Sequence, residues 1–132
     1  MLQTGTAKEI VFTVTPERTA KAVGSGTLNV LATPVLLSFL ENAAWTCAAP
    51  QLAPEETTVG TLLDVKHLSP TPVGMDVTCR AELIQTEGRR LRFRLSASDA
   101  AGLVGEGFHE RAVVQADRFQ KKADGKGVPS AP

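Results

Sequence analysis

The stretch Val30–Pro50, VLATPVLLSFLENAAWTCAAP, decides how the chain is read. At helical spacing Pro34, Leu37, Glu41, Ala44, Trp45 and Ala48 share one broad stripe, and Leu36, Phe39, Leu40, Ala43 and Cys47 share another. Neither stripe looks suited to water, and a helix that is hydrophobic all round is normally buried. A single carboxylate, Glu41, lies in its middle. Burying it alone is costly, so Glu41 is expected to be paired, protonated or working. Thr33-Pro34 predicts the helix start, with the threonine hydroxyl as cap and proline at the first helical position, where its missing donor costs nothing. The helix is expected from Pro34 to about Ala49, ended by Pro50 and Pro54.

Upstream, the β-branched and aromatic run Glu9–Val14 predicts a strand that Pro16 closes, and Glu17–Gly26 reads as a loop. Downstream the pattern is an antiparallel meander. Thr57–Leu68 is a strand with Gly60 inside it. Met75–Leu83 alternates cleanly, with Met75, Val77, Cys79, Ala81 and Leu83 on one face. Gly88 in TEGR suits a tight turn into a matching strand, with Leu91, Phe93, Leu95 and Ala97 inward and Arg90, Arg92, Arg94 and Ser96 outward. In the last strand, Leu103–Gln115, Gly105 and Gly107 fall on one face and predict close approach of another backbone, the central helix being the nearest candidate. From Asp117 the chain is polar and charged. The expected organisation is a single domain over 1–116 with a disordered tail over 117–132. This is an α+β order, an antiparallel β-sheet wrapped around one long central helix. One sheet face and one helix make a thin core, so a homodimer is expected.

The chain has 132 residues, and Lys+Arg and Asp+Glu balance at 14 each, so no global field favours nucleic acid or an acidic membrane surface. The start, MLQTGTAKEI, lacks the charged and apolar regions of a leader, and no apolar run is long enough to span a bilayer. A cytoplasmic protein is expected, partnered by a small molecule or its own copy. Cys47 and Cys79 have no metal-ligand spacing and read as small buried hydrophobes. No nucleophile elbow, phosphate loop, dinucleotide fingerprint or zinc pattern is present. The unusual polar residues are Thr33, Glu41, His67, His109 and Arg111. Each has a plain structural reading: a helix cap, a salt-bridged acid, satisfied histidines, and a counter-ion for Glu110 or Glu41. Residue physics alone reaches a buried acid with a possible histidine partner.

Four segments, LATPVLLSFLENAAW, VGTLLDVKHLSPTPVG, AELIQTEGRRLRFRLSASD and GFHERAVV, together resemble the fluoroacetyl-CoA thioesterase-like family of the hot-dog fold, over about Leu28 to Val114. The resemblance implies an acyl-CoA thioesterase whose catalytic threonine, glutamate and histidine are Thr33, Glu41 and His67. It also implies an active-site glycine at Gly60 and an arginine near the acyl end at Arg111, with no metal and no cofactor beyond the CoA of the substrate. One departure is that the segment ahead of Thr33, VGSGTLNVLA, is shorter than the lid-forming segment of the fluoroacetate-specific enzyme. General thioester hydrolysis therefore carries over better than the fluorinated substrate.

Thiolates leave readily, so such an enzyme needs a nucleophile and carbonyl polarisation more than a strong acid. Glu41 could act as general base or attack directly, with His67 moving a proton and Thr33 attacking or orienting. Eight helical residues separate Thr33 from Glu41, a rise of about 12 Å that forbids a shared hydrogen bond within one chain. Either the helix start is irregular or the site uses residues from both subunits, and an active site at the dimer interface is the expectation. The rival readings are a hot-dog protein that binds an acyl-CoA without turning it over and a dehydratase-type lyase. The arginines Arg89, Arg90, Arg92 and Arg94 are available to CoA phosphates, although alternation on a strand is the pattern of a solvated face.

Overall fold

The computed structural model describes residues 2–127. Five strands, β1 (Ala7–Thr13), β2 (Glu56–His67), β3 (Asp76–Glu87), β4 (Arg90–Asp99) and β5 (Gly102–Gln115), form one antiparallel sheet in the order β1-β3-β4-β5-β2. Three helices accompany it: α1 (Ala20–Val23), α2 (Thr33–Ala48) and α3 (Ala116–Gly127). The expected α+β architecture is present, with the sheet curled around α2. Alternation places Val77, Cys79, Ala81 and Leu83 of β3 and Leu91, Phe93, Leu95 and Ala97 of β4 in the core, all as the period of two requires. They meet Leu36, Leu40, Ala43, Cys47 and Ala48 of α2, and each large side chain buried this way contributes about 1.5–3 kcal/mol. Gly88 makes the β3–β4 turn with φ of 60°. No helix among the described residues is long and apolar enough to cross a membrane.

Four expectations need correction. First, α2 is not buried all round: Trp45 is 44% exposed and the Glu41 side chain 39% exposed, on a face that the single chain leaves open. Second, α2 begins one residue early. Ala32, in extended conformation, is the cap residue, Thr33 is the first helical residue, and the threonine hydroxyl caps nothing. Buried Leu31 and Ala32 fix this start, through Leu31 N–H to Thr71 O and Ala32 N–H to Arg18 O. Third, Glu17–Gly26 is not a plain loop. It holds most of a 3-10 turn, Pro16–Arg18, and all of α1, whose N–H of Ala22 is capped by Thr19 Oγ1. Fourth, the tail is helical over Ala116–Gly127, although α3 buries no residue; positions 128–132 lie outside the described residues.

Gly105 and Gly107 do mark close approaches, but mainly of β2 rather than the helix. A Cβ on Gly107 would lie 2.7 Å from Val65 Cα, against backbone that cannot yield. One on Gly105 would lie 2.9 Å from Lys66 O and 3.3 Å from Leu36 Cδ2, so only this glycine admits the first turn of α2 as well. Since Gly105 pairs with His67, that approach brings the start of α2 against the end of β2.

Candidate functional site

The first group of polar residues forms where α2 begins. Thr33 Oγ1 lies 2.7 Å from Nδ1 of His67, the last residue of β2. The chain leaving His67 is held by Leu68 N–H to Val104 O, and Thr71 Oγ1 donates to Asp99 Oδ2 at 2.9 Å. Burial lowers the His67 pKa below 6.5, so the neutral ring is favoured. Its Nε2 is buried and has no hydrogen-bond partner in the described chain. Orphaned buried nitrogens are rare in proteins, and this one is closed to water in the single chain. A groove lined by Ala20, Ser25, Val30 and Leu31 opens onto Thr33 and His67.

The second group forms two turns along the helix. Glu41 Oε2 lies 3.6 Å from Nη1 of Arg111, which is itself buried on β5. Arg111 is held on every nitrogen. Nε donates to Thr58 Oγ1 at 2.8 Å, Nη2 to Thr58 O at 3.0 Å, and Nη1 to His109 Nε2 at 3.1 Å. His109 is fully buried, and its Nδ1 lies 2.7 Å from Leu62 O. A carbonyl only accepts, so Nδ1 carries the proton and Nε2 is the acceptor that Arg111 needs. Burial first, and then the Arg111 charge, lower the His109 pKa and keep the ring neutral. The β2–β5 ladder is irregular between Gly60 and Leu62, beside this contact.

Gly60 belongs to the same group. A Cβ there would stand 2.8 Å from Glu41 Oε2, 3.3 Å from His109 Cε1 and 3.4 Å from Arg111 Nη1. The carboxylate is the far end of a flexible side chain and would move aside. Gly60→Ala is therefore expected to keep its thermal unfolding midpoint while any turnover that depends on Glu41 falls about 100-fold, as displacements of ~1 Å do at reacting groups. A shifted midpoint with unchanged turnover would contradict this placement of Glu41.

The five residues to which the family resemblance gives roles thus fall into two groups in one chain, Thr33 with His67, and Glu41 with Gly60 and Arg111. Sequence reasoning assigned no role to His109 and did not single out Thr58. The parity of β5 already put His109 on the face of Arg111, two residues away, but the Leu62 contact depends on the local irregularity of β2. The cysteines stay outside both groups. Cys47 and Cys79 are buried free thiols, and burial pushes Cys79 up to about 12, which removes it as a nucleophile.

The sequence and the fold are similar to those of known thioesterases. The family model described as FlK, fluoroacetyl-CoA-specific thioesterase, matches residues 14–117. The fluoroacetyl-CoA thioesterase of Streptantibioticus cattleyicolor is 43% identical over 93 residues, 70% of this chain and 67% of that protein. A solved structure of the fluoroacetyl-CoA thioesterase FlK superposes with a TM-score of 0.91 at 35% identity, covering 98% of this chain and 99% of that one. A hot-dog-like protein from Thermanaerovibrio acidaminovorans gives a TM-score of 0.88 at 25% identity, over 98% of this chain and 96% of that one.

Proposed function

The chain belongs to the fluoroacetyl-CoA-specific thioesterase family and is a thioester hydrolase, and we propose that it cleaves small acyl-CoA thioesters to the free acid and CoA at a site shared by two subunits of a homodimer. The observation that carries the reading is the separation of the two groups: the Thr33–His67 pair has an unpartnered buried nitrogen, and the Glu41–Arg111 pair has an open face. Each is half of a site.

A second copy can supply the missing half. Of the two sheet edges, β1 carries Lys8 and Glu9, the sort of charge that blunts an edge. The β2 edge is uncharged from Thr57 to Leu63, and residues 60 to 64 are all exposed there, with Leu62 at 45% and Leu63 at 36%. Exposed apolar residues in the middle of a twelve-residue strand favour pairing with a second β2, and Trp45 would be covered in the same contact. Antiparallel pairing about an axis near Leu63–Asp64 would set Gly60 of one subunit opposite the partner's His67. The register that covers the leucines is thus the register that unites Thr33 and His67 with the partner's Glu41.

In that arrangement the Thr33 hydroxyl donates to neutral His67 Nδ1, and a shift of the side chains covering the ring lets its unpartnered Nε2–H donate to the partner's Glu41. This is the logic of a nucleophile, its base, and a carboxylate that orients the base. Thr33 attacks the thioester carbonyl as its proton passes to His67. The N–H groups of Thr33 and Val35 at the start of α2 are the donors offered to the oxyanion, since Pro34 has none and that of Leu36 is bonded to Ala32 O. The CoA thiolate then leaves and takes the proton, and water releases the acid from the acyl-threonine. Arg111, fixed by Thr58 and His109, anchors the Glu41 carboxylate through the 3.6 Å ion pair. The route needs no metal and no cofactor beyond the CoA of the substrate, and the two free thiols fit a reducing cytoplasm.

The test is release of free thiol from a panel of acyl-CoAs of increasing chain length. Hydrolysis of at least the short members is expected, falling on the acid side as the His67 ring takes up a proton and can no longer accept from Thr33. Binding without turnover by every member would leave a ligand-binding protein instead, and turnover that persists in His67→Ala would remove His67 from the base role.

A further inference from the structure

We infer that α3 and the β3–β4 turn form the subsite for the 3′-phosphorylated ADP of coenzyme A, with Arg89, Arg118 and Lys122 on its phosphates and Phe119 under the adenine. The inference rests on the acyl-CoA reading and says where the non-reacting end of that substrate goes.

The helix α3 buries no residue, so the core does not explain it. Its sequence is sorted by face. Arg118, Phe119 and Lys122 follow at i, i+1 and i+4 and line one groove of about 300 Å³ with Arg89 and Val113. Asp117 and Asp124 lie seven residues apart on a different face, where Asp124 accepts from Gln120 at 3.0 Å. Phe119 is 42% exposed beside these cations, which leaves its ring open to stack on a flat group. Arg89 is shared with Glu56 at 3.6 Å, whereas Arg118 and Lys122 have no carboxylate within ion-pair distance among the described residues. Three cations facing one carboxylate make a site for an anion of more than one charge.

The distance fits as well. Arg111 and Gln115 are four strand residues apart, roughly 13 Å, and Arg118 follows in the first turn of α3. The two amides and the cysteamine of a pantetheine arm have about the reach of four or five extended residues, ~15 Å. Val113, which lines the groove, is on the same inward face of β5 as Arg111. The other arginines are less suitable. Arg90, Arg92 and Arg94 point to the opposite face, where Glu110 engages the first two at 3.8 Å and 2.6 Å, and Arg92 and Arg94 sit over the Phe108 ring.

Kinetics with acetyl-CoA, acetyl-3′-dephospho-CoA and acetyl-pantetheine on the full chain test the subsite. In wild type kcat/KM should fall in that order. In R118A/K122A the preference for acetyl-CoA over acetyl-pantetheine should shrink about 30-fold, the loss entering through KM, and F119A should shrink it with no change in the 3′-phosphate discrimination. A preference unchanged in R118A/K122A would overturn the inference, as would equal losses on all three thioesters, which would mean that α3 merely supports the fold. If wild type hydrolyses none of them, the thioesterase reading fails by itself, and calorimetric titration with free CoA still decides the subsite: about 30-fold weaker binding by R118A/K122A supports it, and equal binding rejects it.

Discussion

Mixing Thr33→Ala and Glu41→Ala subunits is expected to restore about a quarter of wild-type turnover, with each variant alone inactive. The reasoning is combinatorial. A shared site takes Thr33 and His67 from one subunit and Glu41 from the other. In a mixed dimer both lesions fall into one site, and the other site is built wholly from intact residues. Random exchange makes half of the dimers mixed, and each has one working site of two. A mixed dimer purified with two different tags should have half of wild-type turnover. If each site were contained in one chain, every chain in the mixture would carry a lesion and no activity would return. The ~12 Å rise between Thr33 and Glu41 on α2 excludes a direct hydrogen bond within one chain and motivates the experiment. The measurement is thiol release after co-refolding or co-expression, with a size measurement establishing the dimer.

Much of the fold was legible because strands and helices impose periods on side chains. The inward sets of β3 and β4 could be read residue by residue, since each position has only two faces to choose from. The helix start was harder. Thr-Pro is compatible with threonine as cap and proline first, or with the preceding residue as cap and proline second. What decided it was the anchoring of Leu31 and Ala32 by Thr71 and Arg18, contacts from distant parts of the chain. The shift changes the chemistry, for a capping hydroxyl would be engaged with the helix, whereas that of Thr33 is on His67. The helix α3 escaped notice because it has almost no apolar residue to show a period. His109 and Thr58 escaped because their parts depend on strand pairing: Thr58 meets Arg111 only through the register of β2 on β5. The open face of α2 could not be told from a buried one, since a surface covered by a partner has the composition of a core.

Replacing Glu41 by glutamine should reduce turnover by about 10³-fold or more, through loss of the carboxylate that orients His67 of the partner subunit. The same change should also reduce stability, and the two effects can be separated. Arg111 is only 7% exposed, and Glu41 is the one carboxylate within ion-pair distance of it among the described residues. Without Glu41 the guanidinium keeps its bonds to Thr58 and His109 but is a buried cation with no counter-charge. Breaking a fully buried pair costs about 3–5 kcal/mol. Here water reaches the 39% exposed glutamate, so a penalty nearer ~1–2 kcal/mol is expected, read from denaturant or thermal unfolding. Adding Arg111→Gln removes the orphaned charge. The double variant should regain much of the lost stability and none of the lost turnover. If it regains both, Glu41 acts only as a counter-ion to Arg111, and the catalytic carboxylate lies elsewhere. If Glu41→Gln is stable and slow while Arg111→Gln alone is stable and fast, the pair is not the coupled unit that the 3.6 Å contact implies. Stability and activity thus report on the two sides of the same carboxylate: Oε2 faces the arginine of its own chain, and in the proposed shared site the other oxygen is left for the partner's histidine.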